Sequence, residues 1–304
     1  MSSDEPRPTV RPVTLSRLIE VTHACSNGEK DTGEIEGALG VSHRRARETI
    51  LEALRMGIIG VHEVDEEEAE ETYETTDDGL TFLGAIEDED WSSADEILRG
   101  LSPHYGNFVD AVESIEPAPL EELLQELEDV DGSHRTYNQT SVEVLGDWSE
   151  RLGGAQRNAF TGDYYLVDRD RGVPADFGSV LLSVYDDLEE TAGVNLRQRH
   201  ISIPELREHF CERVGCERDV FDAGLLALAE QNVGRVELSG APIDTGAKDS
   251  LLAIKQIELS EEGGLVSTSQ SSERVMSGVE QNGKQYYYFA VHDRDIEFSK
   301  EEIR

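Results

Sequence analysis

Lysine is almost missing from this chain. Five lysines (Lys30, Lys248, Lys255, Lys284, Lys300) stand among 304 residues, against 22 arginines. Cysteine is scarcer still, at Cys25, Cys211 and Cys216. So few thiols, and an odd number of them, exclude a disulfide scaffold and suit a reducing, cytoplasmic setting. No run reaches 18 apolar residues, so no transmembrane helix is expected. The opening MSSDEPRPTVRP has no apolar core of the kind a secretory signal needs, so none is expected there.

Motifs of chemistry are lacking too. The chain has no phosphate-binding glycine loop, no nucleophile elbow and no zinc ribbon. His209, Cys211 and Cys216 are the nearest thing to a ligand cluster, but no fourth ligand lies near them, and ordinary buried thiols account for both cysteines. Carboxylate pairs are too abundant for any to be picked out as acid and base. Tyr286, Tyr287 and Tyr288 alternate on an expected strand, where packing on its two sides explains them without a base-stacking platform. Catalytic, cofactor and metal residues are therefore assigned to none, and no enzyme is expected.

What the chain has in excess is carboxylate: 65 Asp and Glu against 27 Lys and Arg, a net charge of −38. The acids are dispersed along the whole length. The apolar fraction, 37%, is low, yet apolar residues recur at helical and strand spacing almost throughout, which marks a folded chain with a heavily solvated surface. Dispersed acid with scarce lysine resembles the protein style of extreme halophiles, haloarchaea in particular. In molar salt the Debye length falls to about 3 Å and the self-repulsion is screened. On this reading the acidity concerns the solvent more than any partner.

Against that background, Arg44, Arg45 and Arg47 crowd into four positions of the stretch TGEIEGALGVSHRRARETILEALRMGIIG, Thr32 to Gly60. Leu15, Leu18, Ile19 and Val21 space a first helix. Asp31 or Thr32 caps a second that ends at Gly40, and Ser42 caps a third with an apolar stripe of Ala46, Ile50, Leu51 and Leu54. Gly40-Val41 leaves room only for a helix-turn-helix corner. Two strands, Gly57–Val61 and Thr72–Thr75, then flank the acidic run DEEEAEE.

The closing phrase YETTDDGLTFL resembles the end of many bacterial and archaeal winged-helix regulators, a likeness that covers residues 14–90 at the level of fold. The resemblance implies that the third helix offers its N-terminal residues to a DNA major groove, with Ser42, His43, Arg44, Arg45 and Arg47 as the contacts. The bland alternative is a solvated face on which Glu48 and Glu52 pair with the arginines. A further tension is the fourteen carboxylates, with no Lys or Arg, between His62 and Asp90. So acidic a wing would repel the DNA backbone.

The order of helices followed by a hairpin recurs. Ala94–Leu101, Asn107–Ile115, LEELLQELEDV and Gln139–Arg151 precede a hairpin in AQRNAF and YYLVD, with Arg135, Tyr137, Asn138, Arg151 and Arg157 as a thinner, secondary DNA-binding face. Phe177–Glu190, the stretch ISIPELREHFCERV, Arg218–Gln231 and strands at 236–238, 255–259 and 280–291 form a third cycle, in which Asn282-Gly283 marks a tight turn. There Glu217, Asp219, Asp222 and Glu230 oppose one Arg218, which suits a protein partner. Gly240–Asp249 and Glu261–Arg274 are expected as mobile loops.

The expected fold is thus α+β and mostly α: a flexible tail over 1–13, then about three tandem winged helices at 14–90, 91–170 and 171–304, each three helices and a β-hairpin wing. The expected function is double-stranded DNA binding, as a regulator or as the DNA-reading subunit of a replication, plasmid-maintenance or defence complex. The alternative is a protein-interaction scaffold without nucleic acid, using the acidic wing and the third unit. A homodimer is left open, and no membrane partner is expected.

Overall fold

The computed structural model describes residues 9–62, 71–129, 136–191, 200–240, 257–258, 265–266 and 275–302. They are α+β and mostly helical, with eleven α-helices and small antiparallel sheets. The chain falls into two compact units, Met1–Ala155 with Lys255–Ser269, and Gln156–Ile254 with Gln270–Arg304.

The first unit opens with α1 (Leu15–Ser26), β1 (Lys30–Asp31), α2 (Thr32–Leu39), α3 (His43–Met56), β2 (Ile59–His62), β3 (Thr72–Thr75) and α4 (Asp77–Glu87). Local chemistry sets these boundaries. Asp31 and Glu34 form a reciprocal capping box at the start of α2, and Gly40 ends it at φ 60°. Gly57 ends α3 in the same left-handed way, at φ 74°. The strands pair antiparallel in the order β1-β3-β2, with Tyr73 between Lys30 and Val61.

The sheet closes onto α4 through Thr76, whose hydroxyl donates to Gly57 O at 2.6 Å and accepts from Gly79 N at 3.1 Å. A β-carbon at Gly79 would lie 2.0 Å from Ile58 O, so the glycine of YETTDDGLTFL is demanded by a backbone-to-backbone approach.

Four more helices complete this unit: α5 (Trp91–Leu101), α6 (Pro103–Ile115), α7 (Leu120–Asp129) and α8 (Gln139–Leu152). They are not a separate winged helix. Trp148 of α8 is wholly buried, packs 6.3 Å from the Tyr105 ring of α6, and donates from Nε1 to Val13 O at 2.9 Å. That bond also corrects the expected N-terminal tail. Val10 and Val13 are buried, and Arg11 reaches Glu52 on α3. Residues 9–13 form a strap held between α3 and α8. Residues 1–8 lie outside the described residues.

The second unit begins within β4 (Ala155–Arg157), which pairs with β5 (Tyr164–Leu166). Then follow α9 (Phe177–Thr191), β6 (Ile201–Ser202), α10 (Ile203–Val214), α11 (Arg218–Gln231) and β7 (Val236–Gly240). The chain returns to the first unit for a short pair, β8 (Ile257–Glu258) with β9 (Leu265–Val266), before β10 (Val279–Gln281), β11 (Lys284–Val291) and a 3-10 turn at Lys300–Glu302 complete the second. Most of the expected loops at 240–249 and 261–274 fall outside the described residues. Asn282 (φ 53°) and Gly283 (φ 69°) make the two-residue turn between β10 and β11. Phe177, Phe210 and Phe221 stack at the core with centroids 4.7–6.0 Å apart.

The β4–β5 hairpin is bound by α10 and α11. Asn158 donates to Glu212, Ala159 N to Glu208 at 2.9 Å, and Arg218 Nη2 to Arg157 O at 3.0 Å. The expected middle domain, 91–170, is therefore split, its helices in one unit and its hairpin in the other.

Both units nevertheless carry one topology. In the first, helix, strand, helix, helix, strand, strand run α1-β1-α2-α3-β2-β3, with the last strand central. In the second they run α9-β6-α10-α11-β7-β11, with β11 between β6 and β7, and β10 is an added strand that precedes β11 and pairs with it.

Candidate nucleic-acid interface

Helix α3 is 14 residues long and buries Ala46, Thr49, Ile50, Ala53 and Met56. Leu51 and Leu54, expected in that stripe, are half-buried. The buried face runs instead through Thr49, Glu52, Ala53 and Met56, a fraction of a turn from the expected stripe. Ser42 stands at the N-cap but its hydroxyl makes no capping bond.

Arg44, Arg45 and Arg47 are all exposed, as are Ser42 and His43. The structure thus brings the five expected contacts together at the first two turns of α3, where the helix dipole also favours anions. Two of the five are engaged by carboxylates. His43 Nδ1 lies 3.2 Å from Glu36 Oε2 of α2, and Arg44 Nε lies 3.2 Å from Glu48 Oε1. Exposed pairs of this kind hold weakly. Arg45 and Arg47 make no ion pair among the described residues. Arg47 is near enough to Tyr73 of β3 to act on its hydroxyl. Burial pushes that hydroxyl up, and the Thr32 hydrogen bond and the Arg47 charge oppose the rise.

The other half of α3 is closed, which the sequence did not foretell. Glu52, expected to pair with the surface arginines, is 0% exposed and lies between Arg11 of the strap and Arg55. Arg55, only 13% exposed, is held by Glu52 and by His104 Nδ1 of α6 at 2.7 Å. Because a guanidinium only donates, His104 Nδ1 accepts, and its hydrogen resides on Nε2. Glu52 and Arg55 are readable in sequence as a pair three apart. Arg11 and His104 reach them only through the tertiary fold.

The sheet beside the helix is acidic. His62 of β2 sits between Glu29 (3.1 Å) and Glu74 (3.6 Å), while residues 63–70 lie outside the described ones.

The secondary face does not assemble. Tyr137 is buried, and its hydroxyl accepts from Asn107 at 3.0 Å. Asn138 caps α8 through Ser141 N at 2.9 Å. Arg151 is buried and pairs with Asp147 at 3.0 Å. Arg157 spans its own hairpin, from Gly162 O at 3.0 Å to the Tyr164 ring at 5.5 Å. Arg135 lies outside the described residues. Helix caps and packing use these side chains up.

In the second unit, α11 is also 14 residues long, and Phe221, Leu225 and Leu228 occupy the positions that Ala46, Ile50 and Ala53 hold in α3. Two matching positions differ in sign. Asp219 stands where α3 has Arg44, and Asp222, paired with Arg207 at 2.7 Å, where α3 has Arg47. Arg218 is buried and forks onto Glu208 at 2.6 and 2.8 Å. Cys211 and Cys216 are buried with their sulfurs 3.9 Å apart, and burial pushes the Cys211 thiol well up. Among the described residues no three His, Cys, Asp or Glu side chains gather into a metal-ligand group. Compared with protein-family models, with curated proteins and with solved structures, the chain matches none of them.

Proposed function

We propose that residues 14–90 are a winged-helix unit that binds double-stranded DNA through Ser42, His43, Arg44, Arg45 and Arg47, and that the second unit is a winged helix turned to protein contact. The single observation that carries the DNA reading is the gathering of exposed arginines on the first turns of α3, in a chain otherwise dominated by acid. The Gly40-Val41 corner and the β1-β3-β2 sheet support the winged-helix reading. The role that follows is a DNA-binding regulator, or the DNA-reading subunit of a larger complex.

A scaffold that never touches nucleic acid is the rival reading. The charge inversion on α11 favours it, because a helix matching α3 in length and buried pattern there exposes Asp219 where α3 has Arg44, with Asp222, half-buried against Arg207, where α3 has Arg47.

Replacing Arg44, Arg45 and Arg47 together by alanine decides between the two. Anisotropy titrations on duplex fragments, in the highest salt compatible with binding, should show binding lost with the melting temperature unchanged. Each arginine that neutralises a phosphate should contribute about one unit to the slope of log affinity on log salt. Wild-type protein that binds no duplex, and recovers a partner through its second unit, would establish the scaffold instead.

A further inference from the structure

Resting on that DNA reading, we propose that Glu48 makes duplex binding by α3 sequence-dependent, by accepting a hydrogen bond from the exocyclic amine of cytosine or adenine beside a guanine held by Arg44.

Successive side chains step about 100° around a helix, so Arg44, Arg47 and Glu48 share the side away from the buried Ala46, Thr49, Ile50, Ala53 and Met56. Arg45 lies about a quarter-turn from Arg44, on the flank, where a phosphate is the natural partner. Further along, the outward face is closed by the burial of Glu52 and by the Arg55–His104 contact. Within the outward face, Arg44, Arg47 and Glu48 are the polar side chains that remain to read bases, with half-buried Leu51 beyond them; Ser42 and His43 stand at the helix end.

Glu48 is an odd residue to find there. A carboxylate carried into a polyanion is repelled unless it meets a donor. In the major groove guanine offers O6 and N7 and thymine offers O4, all acceptors, while cytosine N4 and adenine N6 donate. Arg44 matches guanine bidentately. Helix stability is a poor explanation for the pair, since acid before base is the favourable order at this spacing and here the base comes first. At 3.2 Å from Arg44 Nε, and 34% exposed beside an arginine 86% exposed, the carboxylate stands next to the guanidinium before any DNA arrives.

The experiment is selection from a randomised duplex library by the wild type and by Glu48→Gln, with melting curves to verify that both are folded. Wild type should enrich cytosine or adenine next to guanine. Glu48→Gln, which can donate as well as accept and so still pairs with adenine N6 and N7, should lose roughly ten-fold discrimination for cytosine at that one column and keep the guanine columns. Arg44→Ala should erase the neighbouring guanine preference. If Glu48→Gln binds all sequences more tightly with unchanged preferences, Glu48 is only a charge and the proposal is overturned while DNA binding stands. If neither protein retains any duplex, the DNA-binding reading falls and takes this inference with it.

Discussion

At the scale of single residues, the first unit depends on glycines that look interchangeable in sequence. Gly79 and Gly84 both lie within α4, five positions apart. A β-carbon at Gly79 would meet Ile58 O at 2.0 Å and Thr75 Cγ2 at 2.8 Å, whereas one at Gly84 meets nothing within 4 Å. Gly79→Ala should therefore cost about 1–3 kcal/mol by overpacking against a backbone that cannot retreat. Gly84→Ala should gain about 0.5–1 kcal/mol by stiffening a helix interior. Urea denaturation of the two variants checks both signs. Equal effects would mean that α4 does not press on the backbone of Ile58, just before β2.

At the scale of elements, the strap at residues 9–13 connects α3 to α8. It carries two buried valines, a carbonyl that takes the Trp148 indole hydrogen, and one of the two cations on buried Glu52. Arg11→Ala leaves that carboxylate with Arg55 alone and should cost about 1–3 kcal/mol. Deleting residues 1–13 should cost more, because Val10 and Val13 each forfeit about 1.5–3 kcal/mol of burial. A truncated protein with an unchanged melting temperature would restore the flexible tail and dissolve the strap. Since Glu52 and Arg55 lie on α3, the same truncation should also weaken any duplex binding by α3.

At the scale of the whole molecule, 65 carboxylates face 27 basic side chains, and Arg151, Arg207 and Arg218 are buried in ion pairs with Asp147, Asp222 and Glu208. The excess on the surface repels itself. Salt shortens the range of that repulsion from about 30 Å at 0.01 M to about 3 Å at 1 M. The melting temperature should therefore climb from dilute buffer to molar KCl. A flat or falling curve in calorimetry would contradict the idea that this surface is built for concentrated salt.

Much of this was legible in the chain itself, wherever the physics is local. Caps and left-handed glycines placed α2 and α3, the Asn282-Gly283 pair placed the β10–β11 turn, and apolar spacing placed α8 and α11, because a few neighbouring residues decide each of these. The cluster of exposed arginines was legible for the same reason, since a helix with a clear buried stripe can turn its other residues only outward. Tertiary structure alone decided the rest. Which helices share a core depends on partners far apart in sequence, such as Trp148 with Val13 or Glu208 with Ala159, so the three expected repeats became two units with the middle one divided. Whether an arginine is free to meet a ligand depends on the same distant partners. Arg44 and Arg47 remain at the surface, while Arg55, Arg151 and Arg218, identical in chemistry, are covered because Glu52 and His104, Asp147 and Glu208 reach them first.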